Sequence, residues 1–264
     1  MSELVLCETR GAIAILTLNR PEKLNALSPD MLAGIDESIA RFRDDPQLRV
    51  LLFRAKGRYF CAGADVVGGE VMNTETGSGI RDAHRRRNGG MQRMWNELEA
   101  IEKPVVVAHH AICVGGGLEL SLSCDFRLAA SSAAYSFPEA VFGSLPATGG
   151  ISRLTRIVGV HWARYLVMAN RRVDAQKALV MGLVHEVYPD ETFEADTLAF
   201  CRHLAGQLPE VMGMAKLAIE LARDVDAAQA NNIERLANST LMLGTEFAAG
   251  VEAIRQKLLK GKTA

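Results

Sequence analysis

The sequence predicts an α/β layered domain that gives way, near residue 190, to an all-helical region. Two observations carry this. Up to about residue 190, short apolar runs rich in β-branched residues alternate with glycine or proline turns and with stretches of helical periodicity. From Glu191 to Lys260 apolar residues recur at helical spacing, with one proline at Pro209 and few strand signals. The predicted division is therefore 1–190 for the mixed core and 191–264 for the helical region.

In chain order, Leu4-Val5-Leu6 and residues 12–18 read as two strands joined by a turn at Arg10-Gly11. Arg20-Pro21 breaks the second. Ser28-Pro29 is a helix start, a hydroxyl N-cap followed by proline at the first helical position. Leu32, Ile35, Ile39 and Phe42 fall on one face behind it. Val50-Leu51-Leu52-Phe53 is a buried strand ending at Lys56-Gly57-Arg58, and the chain then enters Phe60-Cys61-Ala62-Gly63-Ala64-Asp65. From Val66 to about Gly90 glycine, threonine and charge dissolve the pattern, so an irregular segment is expected there, of the length that often forms a lid. A helix follows with Met91, Met94, Trp95, Leu98 and Ile101 on one face. After Pro104, Val105–Ala108 is a second buried strand; Gly115-Gly116-Gly117 opens a short helix containing Glu119, and Phe126–Ala130 is strand-like again.

Net charge is −1, which gives no bulk attraction to nucleic acid or to an anionic membrane. An anionic ligand would have to be held by local charges or backbone dipoles. The five cysteines are odd in number and scattered, without CxxC or Cys/His ligand spacing, as in a protein whose thiols stay reduced. No basic-then-apolar leader and no stretch of membrane-spanning length is present. The expectation is a cytoplasmic protein without metal, nucleic-acid or membrane partners. His109-His110 does not alter it, because adjacent strand residues point to opposite faces and chelate one ion poorly. Cys61 precedes a turn as a nucleophile might be placed, yet no histidine lies nearby in sequence to activate it. Arg81 to Arg87 reads as a solvated helix face.

The chemistry is concentrated in two glutamates and two turns. Glu119 follows the glycine triplet and Glu139 follows Phe137-Pro138, so each sits beside a tight turn that can aim a carboxylate into a shared cleft. The turns at 61–65 and 115–117 offer backbone N–H groups. Paired carboxylates with fixed N–H donors are what acid–base chemistry beside an activated carbonyl requires.

The order and spacing of further motifs extend this. Leu18-Asn19-Arg20-Pro21, Leu24-Asn25-Ala26-Leu27, Phe60 to Asp65, Gly115 to Leu120, Cys124-Asp125, Pro138-Glu139, Gly143-Ser144-Leu145-Pro146 and Gly149 to Leu154 together resemble the enoyl-CoA hydratase/isomerase (crotonase) superfamily over essentially the whole chain, most closely its hydratases. The resemblance implies a spiral of β-β-α units over 1–190 carrying a CoA thioester site. It implies that 191–264 is a helical oligomerisation region, giving a homotrimer or a pair of trimers.

For the site, the resemblance implies that the N–H groups of Ala64 and Gly116 form an oxyanion hole, and that Glu119 and Glu139 handle water and an α-carbon proton. Glu119 is assigned mainly to water and Glu139 mainly to the proton, a division a coupled pair can reverse. CoA, part of the substrate and not a separate cofactor, would run past Lys23, Leu24, Ala62, Ala64, Asp65 and Gly116. Lys257 would reach the nucleotide from a neighbouring subunit. Within that set Asp65 caps or orients its turn. Two departures stand out: Pro146-Ala147-Thr148-Gly149-Gly150 replaces a more glycine-rich segment, and Ile254 stands where an aromatic residue is common. Hydration of trans-2-enoyl-CoA is the implied activity, with isomerisation or thioester hydrolysis as alternatives on the same scaffold.

Overall fold

A computed structural model describes residues 3–66 and 76–261. Strands β1 (Val5–Arg10) and β2 (Ile13–Leu18) form an antiparallel hairpin around Gly11. Helix α1 (Pro29–Asp44) starts as its sequence dictates, the Ser28 hydroxyl accepting the Met31 N–H. It buries Ile35, Ile39 and Phe42. The chain then runs through β3 (Val50–Ala55), β4 (Tyr59–Cys61), α2 (Gly77–Ala100), β5 (Val105–His109), β6 (Ile112–Val114) and α3 (Gly116–Leu122). It continues through β7 (Phe126–Ala130), β8 (Ala134–Ser136), a 3-10 turn (Pro138–Phe142) and α4 (Gly150–Val167). After β9 (Val173–Asp174), α5 (Ala175–Val180) and β10 (Glu186–Tyr188) come α6 (Phe193–Ala205), α7 (Pro209–Ala222), α8 (Ala227–Met242) and α9 (Thr245–Gly261).

The strands form two sheets, one in the order β1-β2-β3-β5-β7-β10 and one in the order β4-β6-β8-β9. The pairs β3/β4, β5/β6 and β7/β8 each place their first strand in the large sheet and their second in the small one, and each pair is followed by a helix. Repeated three times with parallel neighbours, this is the spiral of β-β-α turns that the motifs imply.

The apolar runs follow from burial on both faces of the large sheet. Along β3, Leu51 and Phe53 enter the core shared with the small sheet, α1, α2 and α4, whereas Val50 and Leu52 face the other way. That second face is covered by Phe193, Leu198, Cys201 and Leu204 of α6. The first helix after residue 190 thus completes the sheet, while α8 has no buried residue.

One expectation is corrected. The irregular segment anticipated from Val66 to Gly90 is helical from Gly77 onward, capped by the Thr76 hydroxyl accepting the Gly79 N–H at 3.0 Å. Its first turns carry little apolar periodicity because they are solvated. They are supported instead by Asp82 pairing with Arg85 and Arg86 along one face. Arg81, Arg85 and Arg86 are exposed there, as a solvated face requires. Residues 67–75 of the anticipated lid lie outside the described residues.

Candidate active site

Strands β4 and β6 pair in parallel with Cys61 opposite Cys113. The backbone turns that follow them come together at the mouth of the small sheet. Ala64 and Gly116 each lie three residues beyond those paired cysteines, so strand register sets their relative position. Gly63 has φ +87°, and a β-carbon there would lie 3.2 Å from both Gly116 N and Val114 O. Only glycine allows that approach. The turn is held from the other side by Leu27, whose N–H donates to Gly63 O at 2.8 Å and whose carbonyl accepts from Asp65 N at 3.2 Å. Among the described residues no hydrogen bond is made by Ala64 N or Gly116 N. Two adjacent, unengaged backbone donors remain.

Beneath the turn, the Cys61 thiol donates to Asn25 O at 3.0 Å and accepts from Gly63 N at 3.4 Å. A β-carbon at Gly117 would come within 2.5 Å of Cys61 Cβ, so α3 sits directly on this side chain. Burial pushes the thiol up to about 12, which leaves it protonated and unreactive. Cys61 is a packing element of the turn.

Glu119 lies in the first turn of α3 and is buried. Its Oε1 accepts two backbone N–H groups, from Thr148 at 2.7 Å and Gly150 at 3.0 Å. Burial raises its pKa; the Thr148 N–H, the Thr148 hydroxyl and the Gly150 N–H oppose the rise, and the Arg153 charge opposes it least. Glu139 is half-buried in the 3-10 turn that Pro138 opens. Its Oε1 lies 2.8 Å from where a β-carbon on Gly115 would stand, so it faces the same turn that presents Gly116 N. Its Oε2 is buried with no partner among the described residues. Burial pushes this carboxyl up to about 7, and the nearby Glu119 charge adds to the rise. The structure therefore brings Ala64, Gly116, Glu119 and Glu139 into one cluster.

The other anticipated contacts divide. Leu24, half-buried with φ +54°, accepts the Ala62 N–H at 3.0 Å, docking the 23–25 turn against the 61–65 turn. Lys23 is exposed beside it. Asp65 is buried and pairs with Arg20 at 2.6 Å, and Arg20 also donates to Ala26 O, so its carboxylate braces the two turns together. Lys257 is exposed on α9, an element that contributes nothing to the cluster within one chain.

Sequence reasoning missed the residues that hold Glu119. Thr148 belongs to the departure from the family pattern, and its backbone N–H grips the carboxylate while its hydroxyl accepts from Trp95 Nε1 at 3.3 Å. The usable signal was Gly149-Gly150. Gly149 takes φ +98°, and a β-carbon at Gly150 would sit 2.7 Å from Glu119 Oε1. His109 is fully buried against Phe60 and Tyr135, and burial lowers it to about 3, so it stays neutral. Among the described residues no cluster of three or more His, Cys, Asp or Glu side chains could hold a metal. No described helix is long and apolar enough to cross a membrane.

Comparison with known proteins places the chain in a family. Residues 8–257 match the model of a family described as enoyl-CoA hydratase/isomerase. The chain is 35% identical over 252 residues to the mouse mitochondrial enoyl-CoA hydratase domain-containing protein 2, covering 93% of this chain and 82% of that one. It is 34% identical over 230 residues to a short-chain-enoyl-CoA hydratase of Clostridium acetobutylicum, covering 86% and 85%. The crystal structure of enoyl-CoA hydratase from Bacillus anthracis superposes with a TM-score of 0.87 at 28% identity, over 96% of each chain. With the β-β-α spiral, the paired turns and matching sequence along nearly its full length, the chain belongs to the enoyl-CoA hydratase/isomerase family.

Proposed function

We propose that the protein is a lyase that adds water to trans-2-enoyl-CoA thioesters, giving 3-hydroxyacyl-CoA. The observation that carries this reading is the inequality of two neighbouring carboxyls beside two unengaged backbone donors. Glu119, held by two N–H groups, is suited to stay ionised and take a proton from water. Glu139, pushed up to about 7 by burial, keeps its proton to higher pH than an ordinary carboxyl and is suited to give it to carbon. Water oxygen bonds to C3 as Glu119 removes its proton. The C2–C3 π electrons shift toward the thioester oxygen, which the N–H groups of Ala64 and Gly116 stabilise. The resulting enolate takes the Glu139 proton at C2, and proton exchange with solvent returns both carboxyls to their starting states. CoA enters as part of the substrate, its pantetheine arm passing the Leu24, Ala62 and Asp65 backbone, with Lys23 beside it.

The helical region supports assembly into a homotrimer or a pair of trimers. Leu236, Leu243, Phe247, Val251, Ile254 and Leu258 are all exposed on α8, α9 and their junction, a concentration of apolar side chains that a neighbouring subunit would cover. That assembly would also carry Lys257 toward a neighbour's nucleotide site. A cytoplasmic setting suits five cysteines that are all unpaired.

The test follows the absorbance of the conjugated thioester of crotonyl-CoA. Its loss with formation of 3-hydroxybutyryl-CoA supports hydration. Release of free CoA thiol from crotonyl-CoA would favour a hydrolase, and appearance of the conjugated absorbance from a 3-enoyl-CoA, without hydration, would favour an isomerase.

A further inference from the structure

Arg153 lies in the first turn of α4, 7% exposed, with its guanidinium turned inward under the 148–150 turn. Its Nε and Nη2 grip both oxygens of Glu99 at 2.8 Å each, and Nη2 also donates to Asn96 Oδ1 at 2.6 Å. Nη1 donates to Thr148 O at 3.2 Å. Thr148 in turn directs its N–H to Glu119 Oε1, so one residue separates the guanidinium from the carboxylate. Gly149 makes this arrangement feasible, since a β-carbon there would collide with the Arg153 side chain. Glu139 has nothing comparable. Its pKa responds to burial, its own backbone and the Glu119 charge, and no salt bridge to it is formed among the described residues.

We propose that Arg153 is the positioning residue that makes Glu119 the base and leaves Glu139 the acid, by placing a fixed positive charge and a braced turn behind one carboxyl of the pair and not the other. The proposal rests on the two-carboxylate reading of the site. The charged groups facing Glu119 are Arg153 from α4 and Glu139 from the 3-10 turn; Glu99 of α2 moderates the arginine, and Arg223, just beyond α7, lies 3.9 Å from the same Glu99 carboxylate. A nearby cation favours the ionised carboxyl, and two N–H donors do the same. Without the cation the hydrogen bonds from Thr148 and Gly150 would be left to favour the Glu119 charge by themselves, and the separation of roles between the two neighbouring carboxyls would narrow.

The experiment reads the carboxyls directly. Protein labelled with carbon-13 at the glutamate δ-carbon is titrated by NMR, with Glu119→Gln and Glu139→Gln identifying the two signals. In Arg153→Gln the Glu119 carboxyl is expected to titrate measurably higher than in the wild type. In Arg153→Lys, which keeps the charge, most of that change should be absent. In Glu99→Gln, which removes the anion moderating the arginine, Glu119 should titrate lower. A residue that merely props the turn would not give opposite displacements at Arg153 and Glu99. Crotonyl-CoA kinetics should show kcat falling about tenfold or more in Arg153→Gln with KM within about twofold, and its acid limb moving upward. An unmoved Glu119 titration in Arg153→Gln overturns the proposal. If that variant does not fold, an unmoved Glu119 in Glu99→Gln overturns it, and a downward displacement supports it. Wild type that shows no hydration while these titrations shift as expected would sink the hydratase reading and leave the arginine's control of Glu119 standing.

Discussion

Glu119 and Glu139 are unequal neighbours: Glu119 Oε1 receives two backbone N–H groups, whereas Glu139 Oε2 is buried with no partner among the described residues. Each charge disfavours the other, so the hydrogen bonds decide which carboxyl carries it. Removing either group should be costly for a different reason. Glu119→Gln and Glu139→Gln are each expected to lower kcat for crotonyl-CoA hydration by about a hundredfold or more. Full activity in either variant would remove that residue from the mechanism.

The pH profile should report Glu139. An acid must be protonated, so hydration should fall as pH rises through about 7, and this alkaline limb should vanish in Glu139→Gln. A limb that persists unchanged in that variant assigns it to another group.

The same carboxyl should oppose folding at high pH. Its folded pKa stands above the ordinary 4.5, so between 4.5 and about 7 the folded protein holds a proton that the unfolded chain has released. Its contribution is therefore complete below 4.5 and is lost as pH rises through 7. Glu139→Gln should then be more stable than wild type at pH 8 by on the order of 1 kcal/mol, with little difference at pH 4, once its partial exposure is allowed for. Denaturant melts at the two pH values measure this.

Gly150→Ala separates the carboxylate's grip from the fold. Its β-carbon would meet Glu119 Oε1 and Pro146 Cβ at 2.7 Å each, so the carboxylate must move off its donors. Catalysis should drop about tenfold or more, with a stability loss of roughly 1–3 kcal/mol. Near-wild-type turnover would show that the exact seat of Glu119 is unimportant.

Assembly is tested by charge placed on the exposed helical face. Phe247→Asp and Leu258→Asp, exposed on α9, should shift the protein from trimer or hexamer toward monomer in light scattering. A wild-type protein that is already monomeric would refute the oligomer.

Much of this was legible in the residues. Ser28-Pro29 marked a helix start because capping is local chemistry. The glycine triplet and Phe137-Pro138-Glu139 marked turns because glycine and proline restrict the backbone in ways visible one residue at a time. What escaped were features without a local signature. The polar first half of α2 looked irregular because its support is Asp82 pairing with Arg85 and Arg86, not an apolar stripe. Thr148 serves Glu119 through its main-chain N–H as well as its hydroxyl, and it lies 29 positions away in a segment that departs from the family pattern, so nothing local announced the role. Arg153 acts across 54 positions on Glu99, and only the folded spiral makes them neighbours.

The unengaged donors of Ala64 and Gly116 are main-chain groups placed by the pairing of β4 with β6. No exchange of their own side chains removes these N–H groups, short of proline, although a side chain at Gly63 would crowd Gly116 N. The half of the site proposed to hold the developing charge would therefore be inherited with the scaffold, while the carboxyl half can be rewritten one codon at a time. A lineage built on this spiral can change which bond it makes or breaks without first having to reinvent how it grips a thioester.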